Sequence, residues 1–531
     1  MSAMNKNKAI SMTRLLPILM VGVTLLLTAT AQAAAPGITG TTFNLTAQAS
    51  YISQPDGAMI YSWGYGCVSA FTPAFNPPAS KMPGANCPTM QVPGPTLIVT
   101  EGQAVIVNLT NNLPAAAGNT SILFPGFQVA ATGGVPGLLT GPLGDAAPGA
   151  TVTYTFTAGS PGTRAYYSGT QGDLQVEMGL YGAIIVLPVS PPTCPNANLA
   201  AESANTETDY RLTANGAAFD HAASCYDREY LFQFSEMDPL IHTQAEQQAR
   251  VKASCPASPN TGCMDVATEP YHPAYFMING RSMPDDMDTN YAVEYPHQPY
   301  NGNPHMHPGE QVLLRIIGQG RWQHPFHEHG NHVRILARDG NLILSATDAT
   351  KLAGPLLFTT TTTPGVAMDG IFYWTGKGLN WDVYGHNSAS TDPLAKLPCT
   401  ADANGYNTGD PTAPNYYEWC ADHGKALEKA PFGDVNAGGP ATLPDANILT
   451  NGAWYGGSAY LGPNATVRAV GPTGSTPPSG TIANPPGSEA GFAFMWHSHN
   501  EREITTNNIF PGGMMMMMLV DSREFHINES N

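Results

Sequence analysis

One design occurs twice in this chain, and it narrows the folds open to it. Residues 93–114, PGPTLIVTEGQAVIVNLTNNLP, pass from a Pro/Gly turn into alternating apolar positions at Val105, Val107 and Leu109 and end on a polar turn. Residues 306–320, MHPGEQVLLRIIGQG, repeat the turn, the Gly-Glu pair and the strand. A second matched pair closes each half: 161–188, PGTRAYYSGTQGDLQVEMGLYGAIIVLP, and 487–521, GSEAGFAFMWHSHNEREITTNNIFPGGMMMMMLVD. Each is a strand, a polar loop, a glycine and a final apolar strand. Alternation with a period of two places every second side chain on one face. The repeat therefore predicts two all-β domains of common ancestry, over about 40–190 and 225–531. Residues 191–224, which begin with SPPTCPNAN, read as a linker. The Gly-, Pro-, Asn- and Asp-rich stretch at about 376–486 reads as an insertion pinned by Cys399 and Cys420.

Composition agrees with short strands joined by turns, since 55 glycines and 47 prolines accompany a 42% hydrophobic, 12% charged chain. Residues 1–33 read as a secretory signal: Lys6, Lys8 and Arg14 precede the apolar run LLPILMVGVTLLLTA, and Ala31-Gln32-Ala33 supplies a small-x-small cleavage pattern. The expected location is periplasmic or secreted, with no membrane span in the mature protein. Loss of those three cations leaves 19 basic against 40 acidic residues, a charge of −21. That balance disfavours nucleic acid, which needs a concentrated basic face. It suits cations better, and it also suits plain solubility. In an oxidising compartment the eight cysteines are expected to pair as near neighbours: Cys67 with Cys87, Cys194 with Cys225, Cys255 with Cys263, and Cys399 with Cys420. No thiolate would then remain to bind a metal.

The residues that carry chemistry are histidines. WQHPFHEHGNHVRILARDG (322–340) holds His324, His327 and His329, and FMWHSHNEREITT (494–506) holds His497 and His499. In extended backbone His327 and His329 share a face, as do His497 and His499. Imidazole is the common ligand for copper, zinc and iron. Two such clamps on adjacent strands could enclose an ion.

Here the residues resemble a known family. HPFHEHG resembles the His-Pro-x-His-x-His-Gly motif of the multicopper oxidases, and HSHNERE resembles their closing His-Cys-His motif with a histidine after it. PGPTLIVTEGQAVIVNLTNN and GLYGAIIV are similar to framework segments of the family's first domain. The resemblance covers about 40–190, 270–375 and 487–521. It implies two cupredoxin-like Greek-key β-sandwiches. It also implies a type 1 copper that takes electrons from substrate and a trinuclear cluster that reduces oxygen, joined through the cysteine of His-Cys-His.

The ligands depart from that pattern. Ser498 stands at the cysteine and Glu503 at the type 1 histidine, leaving only His324 of that site. A blue copper centre needs the thiolate, so none is expected. In the first domain Leu123, Pro125, Tyr167 and Gly169 stand at the four cluster histidines. What the resemblance carries over is His327 at a type 2 position and His329, His497 and His499 at type 3 positions. Those four could hold one or two copper ions with Tyr167 near, and zinc or manganese rank below copper. Histidines inherited in a decaying, metal-free site are the plainer alternative. His324, Ser498 and Glu503 offer a second, harder set for manganese, iron or zinc, or a hydrogen-bonded group.

Other histidines and the methionine run read as structure. His305 and His307 are expected at the surface, too far along the chain from His324 to share its site. Met514, Met516 and Met518 should face one side of a core strand and Met515 and Met517 the other. Glu328 should face away from its neighbours, either supporting the ligands or solvated. A neighbouring copy could lend donors, since two-domain relatives build clusters between subunits; His221, His242, His272, His297 and His386 are candidates within the chain. No phosphate loop, nucleophile elbow or zinc-protease helix occurs. The function expected is a copper-binding oxidoreductase acting on a small reductant or a metal ion. The rival is a non-catalytic cupredoxin scaffold for assembly, attachment or metal sequestration.

Overall fold

A computed structural model describes residues 35–194, 207–252, 263–377, 397–403, 406–418, 491–521 and 527, together with the strands Gly457–Tyr460, Thr466–Val467 and Ile482–Ala483. The signal-like segment 1–33, His386, Cys255 and Cys420 lie outside these residues, as does most of the expected insertion.

Both halves are β-sandwiches. The first stacks the sheet Gly162–Tyr167, Tyr181–Leu187, Leu97–Thr100, Gly37–Thr39 and Ala74–Asn76 on the sheet Met59–Cys67, Thr42–Ser53, Ala104–Asn112, Thr151–Thr157 and Ala130–Thr132. The alternation read in the sequence is realised in Ala104–Asn112, where Val105, Val107 and Leu109 are fully buried and Ala104 and Ile106 face out. In the second sandwich one sheet runs Leu212–Ala217, Cys225–Met237, Gln311–Gly318, Ala367–Tyr373, Val333–Arg338 and Asn341–Leu342. The other runs His305–Met306, Met515–Asp521, Gly491–Ser498, His324–Glu328 and Thr359–Thr362. The repeat is structural: Leu97–Thr100 lies parallel to the last strand of its half, and His305–Met306 lies parallel to the last strand of the other.

Two boundaries and one helix depart from the sequence reading. Leu212–Ala217 falls in the expected linker yet pairs with Cys225–Met237, so the second sandwich reaches back past residue 225. Gly457–Tyr460 falls in the expected insertion yet pairs with Gly491–Ser498. Pro239–Val251 is a helix, begun by the Asp238 carboxylate accepting from Leu240 N at 2.9 Å, and it buries Ile241 and Ala245 in the first core. It was masked in the sequence by an apolar stripe only two residues wide.

Gln311–Gly318 reads as a continuous apolar run because both of its faces are covered. Val312, Leu314 and Ile316 enter the second core, whereas Ile317 packs against Ala165, Ala183 and Ile185 of the first sandwich. Arg315 in the same strand bonds Glu229 at 2.5 Å and lies 3.1 Å from Asp369, which also accepts from Thr163 N and Oγ1. A buried ion network thereby joins the two sandwiches.

The disulfides Cys67–Cys87 and Cys194–Cys225 are formed as expected. Cys263 and Cys399 are also disulfide-bonded. The methionine run behaves as read: Met514, Met516 and Met518 are fully buried in the second core. His305 and His307 correct their reading. Both are wholly buried, His305 Nδ1 lying 2.7 Å from Asp521 Oδ2 and His307 Nε2 3.2 Å from Glu207 Oε2. The bare His-x-His pattern gave no sign of those carboxylates, which come from distant parts of the chain.

Candidate metal centre

The two histidine clamps meet because their strands pair. His324–Glu328 runs antiparallel to Gly491–Ser498, with His327 directly opposite His497 and Phe326 opposite Ser498. Directly opposed residues bring their side chains within a few ångströms of each other. Two further bonds fix the strand ends: His499 N donates to Pro325 O at 2.8 Å, and Trp496 Nε1 donates to His329 O at 2.9 Å.

Four imidazoles converge on one face. Ring centroids lie 4.7 Å apart for His327 and His329, 5.7 Å for His327 and His497, and 5.1 Å for His327 and His499. His497 lies 5.2 Å from His329 and 5.4 Å from His499. The Nε2 atoms of His329 and His497 lie 3.3 Å apart. Among the described residues no group of three or more His, Cys, Asp or Glu side chains is drawn in tightly enough to meet an ion as the side chains stand.

The electrostatics favour the neutral ring at His327 and His497. Burial, reinforced by the neighbouring His329, His497 and His499, pushes the His327 imidazole down to about 4. Burial likewise lowers His497. A neutral imidazole has a lone pair to offer, which is the form a metal needs. Thr359, which the sequence did not single out, lies 2.8 Å from His327 Nδ1 and orients that ring. Phe358 packs edge-on to His327 and also against the exposed His332, an additional imidazole at the rim.

Strand alternation sends the remaining candidates the other way. His324, Phe326 and Glu328 face the core, as do Trp496 and Ser498. His324 is fully buried between two carboxylates: Nε2 is 2.9 Å from Glu236 Oε2 and Nδ1 is 3.0 Å from Glu503 Oε2, the latter out of line with the ring N–H. Ser498 Oγ donates to Glu503 in a short hydrogen bond. The two neighbouring carboxylates carry His324 up to about 9 despite burial. Glu236 is 88 residues from His324 in sequence, and no local pattern announced it. Glu328 is buried rather than solvated; it accepts from Thr360 Oγ1 at 2.6 Å, and burial pushes its carboxyl up to about 8.

The matching face of the first sandwich keeps its backbone and lacks donors. Leu123 pairs with Tyr167, and Leu123 fills the space beside Gly169. Leu123 and Pro125 line an open pocket of about 380 Å³. Tyr167 packs against Gly365 of the second sandwich, and among the described residues no ring contact joins it to the imidazoles. The other histidines have local roles: His242 bonds Tyr61 O and Glu177 O, His297 bonds Met90 O, and His221 caps a short turn at Ala223 N.

A profile of the multicopper oxidases matches residues 81–190. A multicopper oxidase of Talaromyces pinophilus is 33% identical over 128 residues, 24% of this chain and 20% of that protein. An L-ascorbate oxidase of Brassica rapa is 35% identical over 96 residues, 18% of this chain and 16% of that protein. The chain thus matches about a fifth or less of the length of these relatives. Among solved structures, the multicopper oxidase mgLAC is 17% identical, with 90% of this chain and 86% of that one covered and a TM-score of 0.43. No described helix is long and apolar enough to cross a membrane. Residues 81–190, within the first sandwich, thus carry the likeness to the multicopper oxidases.

Proposed function

We propose that the chain is an exported copper-binding oxidoreductase whose site is reduced to His327, His329, His497 and His499. The convergence of the four rings, with Nε2 atoms of His329 and His497 3.3 Å apart, is the observation that carries this reading. The donor set fits copper: four imidazoles on paired strands suit Cu(II), and a more tetrahedral closure would admit zinc. It fits one or two ions and not three, because Leu123, Pro125, Tyr167 and Gly169 stand at the positions of the other four cluster histidines of the family that the chain resembles. Bound copper would supply one-electron chemistry.

The protein's own part is clear. Cross-strand pairing holds His327 against His497, Thr359 orients the His327 ring, and Phe358 shields one side. His329 and the half-exposed His499 side chain keep the face open to a small reductant or a metal-ion substrate. Manganese is disfavoured by a donor set without carboxylates. A second copy of the chain could complete the site from outside.

Metal analysis of the purified mature protein tests this. Copper bound at one or two equivalents, lost in His497→Ala/His499→Ala, supports it, and so does an optical spectrum without an intense blue band. A folded protein that binds no copper refutes it. The loss of every first-sandwich donor favours one alternative, a metal-free scaffold, and that same result would establish it.

A further inference from the structure

Where the first sandwich lacks imidazoles it is hollow, and the hollow is apolar. We infer that this wall binds a small uncharged aromatic molecule bearing one hydroxyl, with its ring in the pocket beside Leu123 and its hydroxyl on Tyr167 Oη. The inference does not rest on the copper reading. One pocket, of about 380 Å³, has Ile122, Leu123, Phe124, Phe127, Leu139 and Tyr154 in its lining. A second, of about 270 Å³, is lined by Tyr167 and Val176 of the first sandwich and by Gln319 and Pro364 of the second. Leu123 and Leu139 line both, so the two adjoin. An apolar cavity of about 150 Å³ takes up benzene, and ligand sites of about 300 Å³ or more are mostly apolar and aromatic with a few polar groups. A molecule of one or two rings fits this space.

The walls are held from behind. Leu123 N donates to Tyr167 O at 2.7 Å, and Phe124 and Phe127 each pack on Phe156 with ring centroids 4.9 and 4.8 Å apart. Three of the four lining hydroxyls are already spent. Tyr154 Oη donates to Gly144 O at 2.7 Å, Ser168 Oγ to Gln175 Oε1 at 2.7 Å and Thr140 Oγ1 to Asp145 Oδ1 at 2.5 Å. Tyr167 Oη makes no hydrogen bond among the described residues, and Gly365 leaves it room, since a Cβ there would lie 3.3 Å from it. A ligand hydroxyl is the partner it lacks. No charged side chain lines either pocket, and Asp145 lies directly behind Thr140, so an anion is disfavoured. Leu139, 65% exposed in the turn joining Val135–Gly137 to Gly141–Asp145, offers apolar surface that a bound ring would cover.

Titration of the full-length mature protein with 2-naphthol near neutral pH, followed by naphthol fluorescence, tests the inference both as purified and in EDTA. One saturable site is expected in both conditions, with naphthalene bound about five-fold more weakly for want of the hydroxyl and the anion 2-naphthoate not bound. Tyr167→Phe should abolish the preference for 2-naphthol and leave naphthalene binding unchanged. Leu139→Ser, at an exposed position, should weaken both ligands about ten-fold. Absence of a saturable site, equal binding of 2-naphthol and naphthalene by the wild type, or binding that ignores both substitutions would overturn the inference. Sedimentation velocity addresses a second copy of the chain as the occupant: a dimer that excludes 2-naphthol and dissociates in Leu139→Ser would overturn it as well. Because the EDTA arm needs no metal, failure of the copper reading leaves this test standing.

Discussion

Replacing His324 with glutamine should change how the stability of the second sandwich depends on pH. The ring rises from 6.5 unfolded to about 9 folded, against burial, through Glu236 and Glu503. A group whose folded pKa is raised contributes stability that is fully present below the unfolded pKa and is lost as pH rises through the folded one. The contribution should therefore be intact below about pH 6.5 and gone above about pH 9, and at about 1.4 kcal/mol per unit it amounts to about 3 kcal/mol. Glu177 and Glu328, both pushed up to about 8 by burial, weaken the fold over an overlapping range. They are present in wild type and variant alike, so they cancel in the difference. The assay is denaturant unfolding followed by tryptophan fluorescence, with Trp496 in the second core, at several pH values on both proteins. The wild-type advantage should shrink by about 3 kcal/mol across this window. Parallel curves would refute a protonated His324 held by its carboxylates.

Other outcomes follow from the same coordinates. Arg315→Met should destabilise by about 3 to 5 kcal/mol, because Glu229 and Asp369 stay buried without their countercharge; pairing it with Glu229→Gln/Asp369→Asn should recover much of the loss in the same unfolding assay. Met516→Ala, in a fully buried position, should cost about 2 to 5 kcal/mol. Ser498→Cys alone should give no intense blue copper band, since Glu503 still stands where the second imidazole would be needed; appearance of the band on copper addition would contradict this. Removing the Cys67–Cys87 bridge, which spans 20 residues, should lower unfolding stability by about 3 kcal/mol, read from the denaturation midpoint.

The sequence by itself determined the two-sandwich plan and the pairing of the clamps. Alternation at Val105, Val107 and Leu109 and the duplicated closing hairpins are local patterns, and a period of two fixes which residues share a face before any long-range contact forms. The same rule placed His327 beside His329 and Met516 beside Met518. Only the tertiary structure decided what surrounds those faces. Glu236 reaches His324 from 88 residues away, Glu207 and Asp521 bury His305 and His307, and Leu212–Ala217 joins a sheet that its polar flanks concealed. Burial and partner identity depend on which distant strands stack, and the energy of a charged side chain depends almost wholly on those two quantities. Motif letters could therefore name the imidazoles that meet, and only the packing could show that the neighbouring His324 lies between two carboxylates.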